Sequence, residues 1–221
     1  MNRVNNQKLS LEQPAGFGRQ RGFSLLELMI AMTIMLILMS VAATLFRSAI
    51  GTRDRESRRT DALTSAQAAL NVMSREIANA GYGLGYNGII TTDSGSKKLR
   101  FRANVVNNDS VTNDPGEDVM YFYDTTTQSI VRWERYPTEN ATTPETSYVV
   151  NRISDVTFEY FDYTGSSSTP TTVTTPTVNT SRVRITVEVL LDAAIGQPNN
   201  QKVKFTSDIT LRNSDYMLNQ Y

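Results

Sequence analysis

Gly22-Phe23-Ser24-Leu25-Leu26-Glu27-Leu28-Met29-Ile30 opens a run that carries no further charge until Arg47. From Leu28 to Phe46, nineteen residues have only Thr33, Ser40 and Thr44 as polar interruptions. At ~1.5 Å rise per residue, a helix of that length covers the ~30 Å of a bilayer core. No Pro or Gly breaks the run, and the three hydroxyls can return their hydrogen bonds to carbonyls one turn back. The stretch therefore predicts a membrane-spanning helix. Glu27 conflicts with it, because an unpaired charge at the membrane centre costs at least ~2.5–3.5 kcal/mol. Arg21 lies upstream and Arg47 about five turns away, so no basic side chain stands one helical turn from Glu27. Its partner has to come from elsewhere.

Arg21-Gly22-Phe23-Ser24-Leu25-Leu26-Glu27 resembles the processing site of type IV prepilins and of the related pseudopilins of type II secretion. The resemblance implies that a membrane-bound prepilin peptidase cuts after Gly22 and methylates the new amino terminus, Phe23. It also implies that Glu27 is the family's assembly glutamate, which meets the charged N-terminus of a neighbouring subunit. The apolar run by itself leaves open an uncleaved signal anchor with Glu27 near the interface. A secretory signal would place its small-x-small cleavage site after the apolar core, where Ala42-Ala43 is a poor version.

The chain has 221 residues and no net formal charge, room for one ordinary domain beyond the membrane segment. Residues 1–22 carry Arg3, Lys8, Arg19 and Arg21 against Glu12 alone, so their removal leaves a net negative chain. That balance gives no support for a nucleic-acid partner, which calls for a clustered basic face. Zero Cys and zero His remove thiol nucleophiles, imidazole bases and the usual zinc ligands together. Neither a phosphate loop nor a nucleophile elbow is present. The expectation is a non-enzymatic chain without a cofactor. Many major pilins close a C-terminal loop with a disulfide, so the lack of Cys points away from a major subunit. Arg47, Arg53, Arg55, Arg58 and Arg59 follow the span and rival the basic residues before it. A cytoplasmic leader, and with it a head outside the bacterial inner membrane, is thus implied by the resemblance and not by charge counting.

Gly51 to Thr60 is polar around its whole circumference and reads as a solvated helical exit from the membrane. Apolar spacing then resumes at Leu63, Ala66, Leu70, Met73, Ile77 and Ala80, one helical stripe suited to packing on a sheet. Gly81, Gly83 and Gly85 end it. Phe23 to about Ala80 is therefore predicted as a single helix of about 58 residues, on the order of 85–90 Å long. The segment Ser74-Arg75-Glu76-Ile77-Ala78-Asn79-Ala80-Gly81-Tyr82 is similar to the corresponding part of PilW-type minor pilins and J-type pseudopilins.

Beyond Gly85 the period falls to two. Strands are predicted at Leu99–Ala103, at Val119–Tyr123 paired in a hairpin with Ile130–Tyr136, around Val156–Phe161, at Val183–Val189 and at Val203–Leu211, the last two joined through a Gly196–Asn200 turn. Gly165–Ser181, almost wholly Ser, Thr, Pro, Val and Gly, reads as a mobile loop. Asp109, Asn113, Asp114, Glu117 and Asp118 form an oxygen-rich loop of the kind calcium requires. The spacing fits no EF-hand, and an acidic turn before the Val119 strand is the simpler reading. Sequons at Asn108, Asn140 and Asn179 are weak matches in a Thr-rich chain.

The expected architecture is α+β: a leader (1–22), a membrane and assembly helix (23–46), its amphipathic continuation (47–82), and a β-rich head (83–221) whose mainly antiparallel sheet packs on the helix. The resemblance implies a minor pilin that primes or caps a type IV pilus, with prepilin peptidase and other minor and major pilins as partners. A J-type pseudopilin of a type II secretion system, or an adhesive pilus-tip protein, are the alternatives.

Overall fold

The computed structural model describes residues 22–106, 111–165, 168–191 and 201–220. The chain divides into two compact units, Met1–Ala49 and Ile50–Tyr221. One helix, α1 (Leu25–Ala78), runs through the boundary.

In the first unit every described residue is exposed to the surroundings of the chain. Thr33 Oγ1 donates to the carbonyls of Met29 and Ile30 at 3.0 and 2.8 Å, and Thr44 Oγ1 to that of Val41 at 2.7 Å. The hydroxyls are thereby satisfied within the helix, as a low-dielectric surrounding demands. Among the described residues, α1 is the one helix long and apolar enough to cross a membrane.

In the second unit α1 turns one face inward. Ala66, Ala69, Leu70, Met73 and Ile77 are buried, and Ala80 follows just beyond the helix. The expected stripe is present except that Leu63 is only half-buried, and Ala69 joins it because Ala66, Ala69, Leu70 and Met73 lie at steps of three and four. The helix closes by tightening, with Asn79 and Ala80 amides donating to Glu76 and Ile77 carbonyls. Gly81 then takes φ +80° and Gly88 φ +75°. A Cβ on Gly88 would stand 2.1 Å from the Gly81 nitrogen and 2.3 Å from the Arg102 carbonyl oxygen. That close approach lets the Gly81 amide donate to Arg102 O at 2.9 Å and the Arg102 amide to Gly88 O at 2.8 Å, which ties the end of the helix to the first strand.

The strands are β1 (Lys98–Arg102), β2 (Asp118–Asp124), β3 (Ser129–Glu134), β4 (Glu145–Val150), β5 (Ile153–Asp162), β6 (Thr171–Val173), β7 (Thr180–Leu190) and β8 (Lys202–Thr210). A short helix, α2 (Asp215–Leu218), follows. All pairings are antiparallel. The predicted β2–β3 hairpin forms with Val119 opposite Glu134 and Tyr123 opposite Ile130. The predicted β7–β8 pairing forms with Val187 opposite Phe205, although its Gly196–Asn200 connection lies outside the described residues.

The single expected sheet is in fact two, ordered β1-β2-β3-β4 and β6-β5-β7-β8. The chain leaves β4 through Asn151-Arg152, with Arg152 at φ +61°, and β5 then pairs with β6 and β7 instead of β4. Both sheets and the helical stripe contribute to one core, in which Phe101, Tyr121, Phe158, Tyr160, Ile185 and Met73 are almost wholly buried. The buried Tyr160 donates its Oη hydrogen to the carbonyls of Gly95 and Lys98 at 2.9 and 3.2 Å, and the half-buried Tyr123 to those of Ile153 and Ser154, both at 3.0 Å, so two phenols join the sheets with their hydroxyls paired.

The segment expected to be a mobile loop, residues 165–181, contains β6, and β7 begins inside it at Thr180. Its order comes from polar anchors that an apolar count misses. Thr177 and Thr180 hydroxyls donate to Asp162 at 2.7 and 2.5 Å, and the Asn87 amide donates to the carbonyls of Thr177, Val178 and Thr180.

A chain beginning at Arg53 is expected to melt cooperatively with mixed helix and strand circular dichroism. Met73→Ala in that chain should lower its stability by about 2–5 kcal/mol, because the emptied site faces a packed core. Urea denaturation followed by circular dichroism measures both.

Candidate functional site

Gly22, Phe23 and Ser24 precede the helix and are non-helical and exposed, Phe23 at 85%. The first helical hydrogen bond runs from the Leu28 amide to Ser24 O at 3.1 Å. Ser24 therefore occupies the capping position and Glu27 the third helical residue, in the first turn. Ser24-Leu25-Leu26-Glu27 has the spacing of a capping box, and a carboxylate is favoured there by the unpaired amides and the helix dipole. This explains how Glu27 is tolerated at the mouth of an apolar helix. Among the described residues no hydrogen bond or ion pair within the chain engages its carboxylate.

Gly22 needs its own explanation. It does not take a positive φ, and a Cβ placed on it would meet no atom within 4 Å. Neither backbone conformation nor packing within the described chain calls for glycine at this position.

The acidic loop is put to structural use. Asp118, 1% exposed, accepts from Arg100 Nε and Nη2 at 2.7 and 2.8 Å and from Arg102 Nε at 2.8 Å. Arg100 also donates to Asp93 at 2.6 Å, and these carboxylates hold its guanidinium above the ordinary arginine range against the cost of burial. Glu117, fully buried, accepts from the Val106 and Asp114 amides at 3.0 and 3.1 Å. Asp114 is 3% exposed, and Asn113 donates to Asn140 Oδ1 at 2.6 Å. Asp109 lies outside the described residues. Asp118 thus faces two guanidinium groups and Glu117 two amides, and among the described residues no three acidic groups converge as metal ligands.

The polar cluster that sequence reading missed is Glu76, Tyr121, Arg132 and Glu134. Tyr121 Oη donates to Glu76 Oε2 at 2.6 Å, Arg132 Nε donates to the same oxygen at 3.0 Å, and Arg132 also pairs with Glu134. The cluster locks α1 onto β2 and β3. Its signal was a carboxylate set beside the stripe positions Met73, Ile77 and Ala80. Burial, and after it the Glu76 charge, push the Tyr121 phenol well above the ordinary tyrosine range. Arg132 is raised as well: burial opposes its charge, but the hydrogen bond to Glu134 and the Glu76 charge outweigh that.

A phenol raised on folding contributes stability that is complete below the unfolded tyrosine pKa of about 10 and is lost as the pH rises above it. The chain should therefore be flat in stability from pH 7 to 9 and weaken near pH 11. Tyr121→Phe should weaken it at neutral pH and reduce the alkaline loss. Chemical denaturation at pH 8 and pH 11 compares the two.

With this geometry in place, residues 18–43 match the family described as the prokaryotic N-terminal methylation motif. The match takes in Gly22, Phe23, Glu27 and most of the apolar run. It supports a type IV pilin-like or pseudopilin subunit, processing by prepilin peptidase and assembly with other pilins. Together with the apolar helix, it supports anchoring in a membrane. No curated protein matches the chain.

Proposed function

We propose that the chain is a PilW-type minor pilin that helps to prime or cap a type IV pilus. The observation that carries this reading is the pairing of Gly22 with Glu27. Among the described residues one is a glycine that no contact calls for and the other a carboxylate with no hydrogen-bond or ion-pair partner, five residues apart at the start of an apolar helix. A peptidase that cuts after Gly22 supplies the reason for the first and creates the partner for the second. The new α-amine at Phe23 has an ordinary pKa of about 7.7–8.0, and a single methyl leaves it basic. In a bundle of parallel spans staggered by a few residues, the amine of one subunit lies level with Glu27 of the next.

The minor role is supported by the absence of cysteine and by the Ser74–Tyr82 segment, which anchors the helix to the head through Glu76, Asn79, Ala80 and Gly81. Processed chain resides in the inner membrane with its head outside the cytoplasm until assembly. In this reading the head acts by binding, in keeping with a chain that offers no imidazole or thiol. Gene neighbours for pilus retraction, rather than for an outer-membrane secretion channel, distinguish this reading from a J-type pseudopilin.

Intact mass of protein extracted from native membranes should correspond to a chain that begins at Phe23 and carries one methyl. Glu27→Ala should still insert and be cut at Gly22 but lose crosslinks to partner subunits. The loss reflects removal of one side of an ion pair, ~3–5 kcal/mol where the pair is buried. Retention of residues 1–22, or unchanged crosslinks in Glu27→Ala, would refute the reading.

A further inference from the structure

The outer faces of the two sheets differ in a way that solvent exposure alone does not explain. In the second sheet the positions pointing away from the core form a polar ladder. Arg184 pairs with Asp208 at 2.7 Å, Thr186 with Thr206 at 3.3 Å, and Glu188 with Lys204 at 2.8 Å, each across the β7–β8 register. This is the alternation expected of an antiparallel sheet with one wet face.

In the first sheet Tyr121 and Arg132 meet Glu76 of the helix, so their neighbours point the opposite way. Met120 stands opposite Trp133, and Phe122 opposite Val131, which in turn faces Tyr148 on the edge strand β4. Tyr148 is 68% exposed, and Met120, Phe122 and Trp133 are half-exposed. A depression of about 530 Å³ is lined by, among others, Met120, Phe122 and Trp133 together with Lys98, Arg100 and Asp93, the last of these paired with Arg100. Trp, Tyr, Phe, Met and Arg are the side chains concentrated where proteins bind proteins, and here they are contiguous on one sheet face, whereas other exposed apolar side chains of the head, such as Tyr82, Val106 and Val178, lie outside the strands.

Charge selects the occupant. Arg100 is pinned by Asp93 and Asp118 and lies 4.9 Å above the Trp133 ring, so it is preorganised, and that ring face is closed to a stacked sugar or base. Lys98, on the same face of β1, is exposed, and among the described residues no carboxylate pairs with it. We propose that the outer face of the first sheet docks a segment of another protein in which carboxylates flank large apolar side chains, its apolar groups on Phe122, Trp133 and Tyr148 and its carboxylates toward Lys98. The proposal rests on the head alone and holds whichever filament or machine the chain serves.

The test uses the full chain in membranes of its native host, with the photocrosslinker benzoylphenylalanine in place of Tyr148 or, as a control on the polar face, of Thr186. The Tyr148 position should give a discrete protein adduct whose crosslinked peptide carries Asp or Glu within a few residues of large apolar side chains, and the Thr186 position should not. Yield should fall at least about fivefold in Trp133→Ala, as for truncation of an interface hot spot. It should fall comparably in Lys98→Glu, an exposed change that leaves the core intact. No adduct, equal adducts from both positions, an adduct with nucleic acid or polysaccharide, or a yield indifferent to Lys98→Glu would each overturn the proposal.

Discussion

Burial of the stripe Ala66, Ala69, Leu70, Met73 and Ile77 is the constraint on which the head depends. Each large member of that stripe, fully removed from water, stabilises the fold by roughly 1.5–3 kcal/mol, and no other helix of comparable length is present among the described residues to cover the strands. The other features of the helix end serve to hold the stripe in place. Glu76 fastens it to Tyr121 and Arg132, Gly81 and Gly88 allow its end to meet β1, and the Asn213 amide donates to the carbonyls of Asn79 and Ala80 at 3.3 and 3.1 Å. The earlier part of the same helix has no such stripe. Among the described residues it is apolar on every side and buries nothing, a surface suited to lipid.

What could be read in the sequence was what is local. The apolar run, the 3-4 spacing from Leu63 to Ala80 and the alternation in β2, β3, β5, β7 and β8 are each set by neighbouring residues, and each appears in the fold with small shifts at the ends. β4 was invisible because it is an edge strand whose first four residues, Glu145 to Tyr148, are all exposed, so no alternation is imposed on them. β6 is three residues long and, among the described residues, is held only by pairing with Tyr160 to Asp162 at the end of β5, too short a strand to leave a period of its own. The division into two sheets follows from a turn at Arg152, a residue that gives no hint of a positive φ.

The candidate site divides in the same way. Gly22, Phe23 and Glu27 could be singled out because the matching methylation motif is a short linear segment, legible without any tertiary structure. Glu76 and Asp118 were not, since their roles depend on Arg132 and Arg100, which reach them only after the sheets form. The oxygen-rich loop looked like a cation site in sequence for the reason that it became a structural anchor in three dimensions. At Glu117 and Asp118 the carboxylates accept from amides and arginines, while Asp114 Oδ2 and Asn113 Oδ1 of the same loop are buried without a hydrogen-bond partner.

One helix is expected to live in two solvents, lipid along its first part and a protein core along its second. The chain has no cysteine, so single cysteines report on it without background. A water-soluble maleimide applied to native membranes, with Leu36→Cys, Ser57→Cys and Met73→Cys compared, tests the claim directly. Ser57→Cys should label at once, Met73→Cys only when urea unfolds the head, and Leu36→Cys only when detergent removes the bilayer. Labelling of Leu36→Cys in intact membranes as fast as Ser57→Cys, or of Met73→Cys without denaturant, would contradict it.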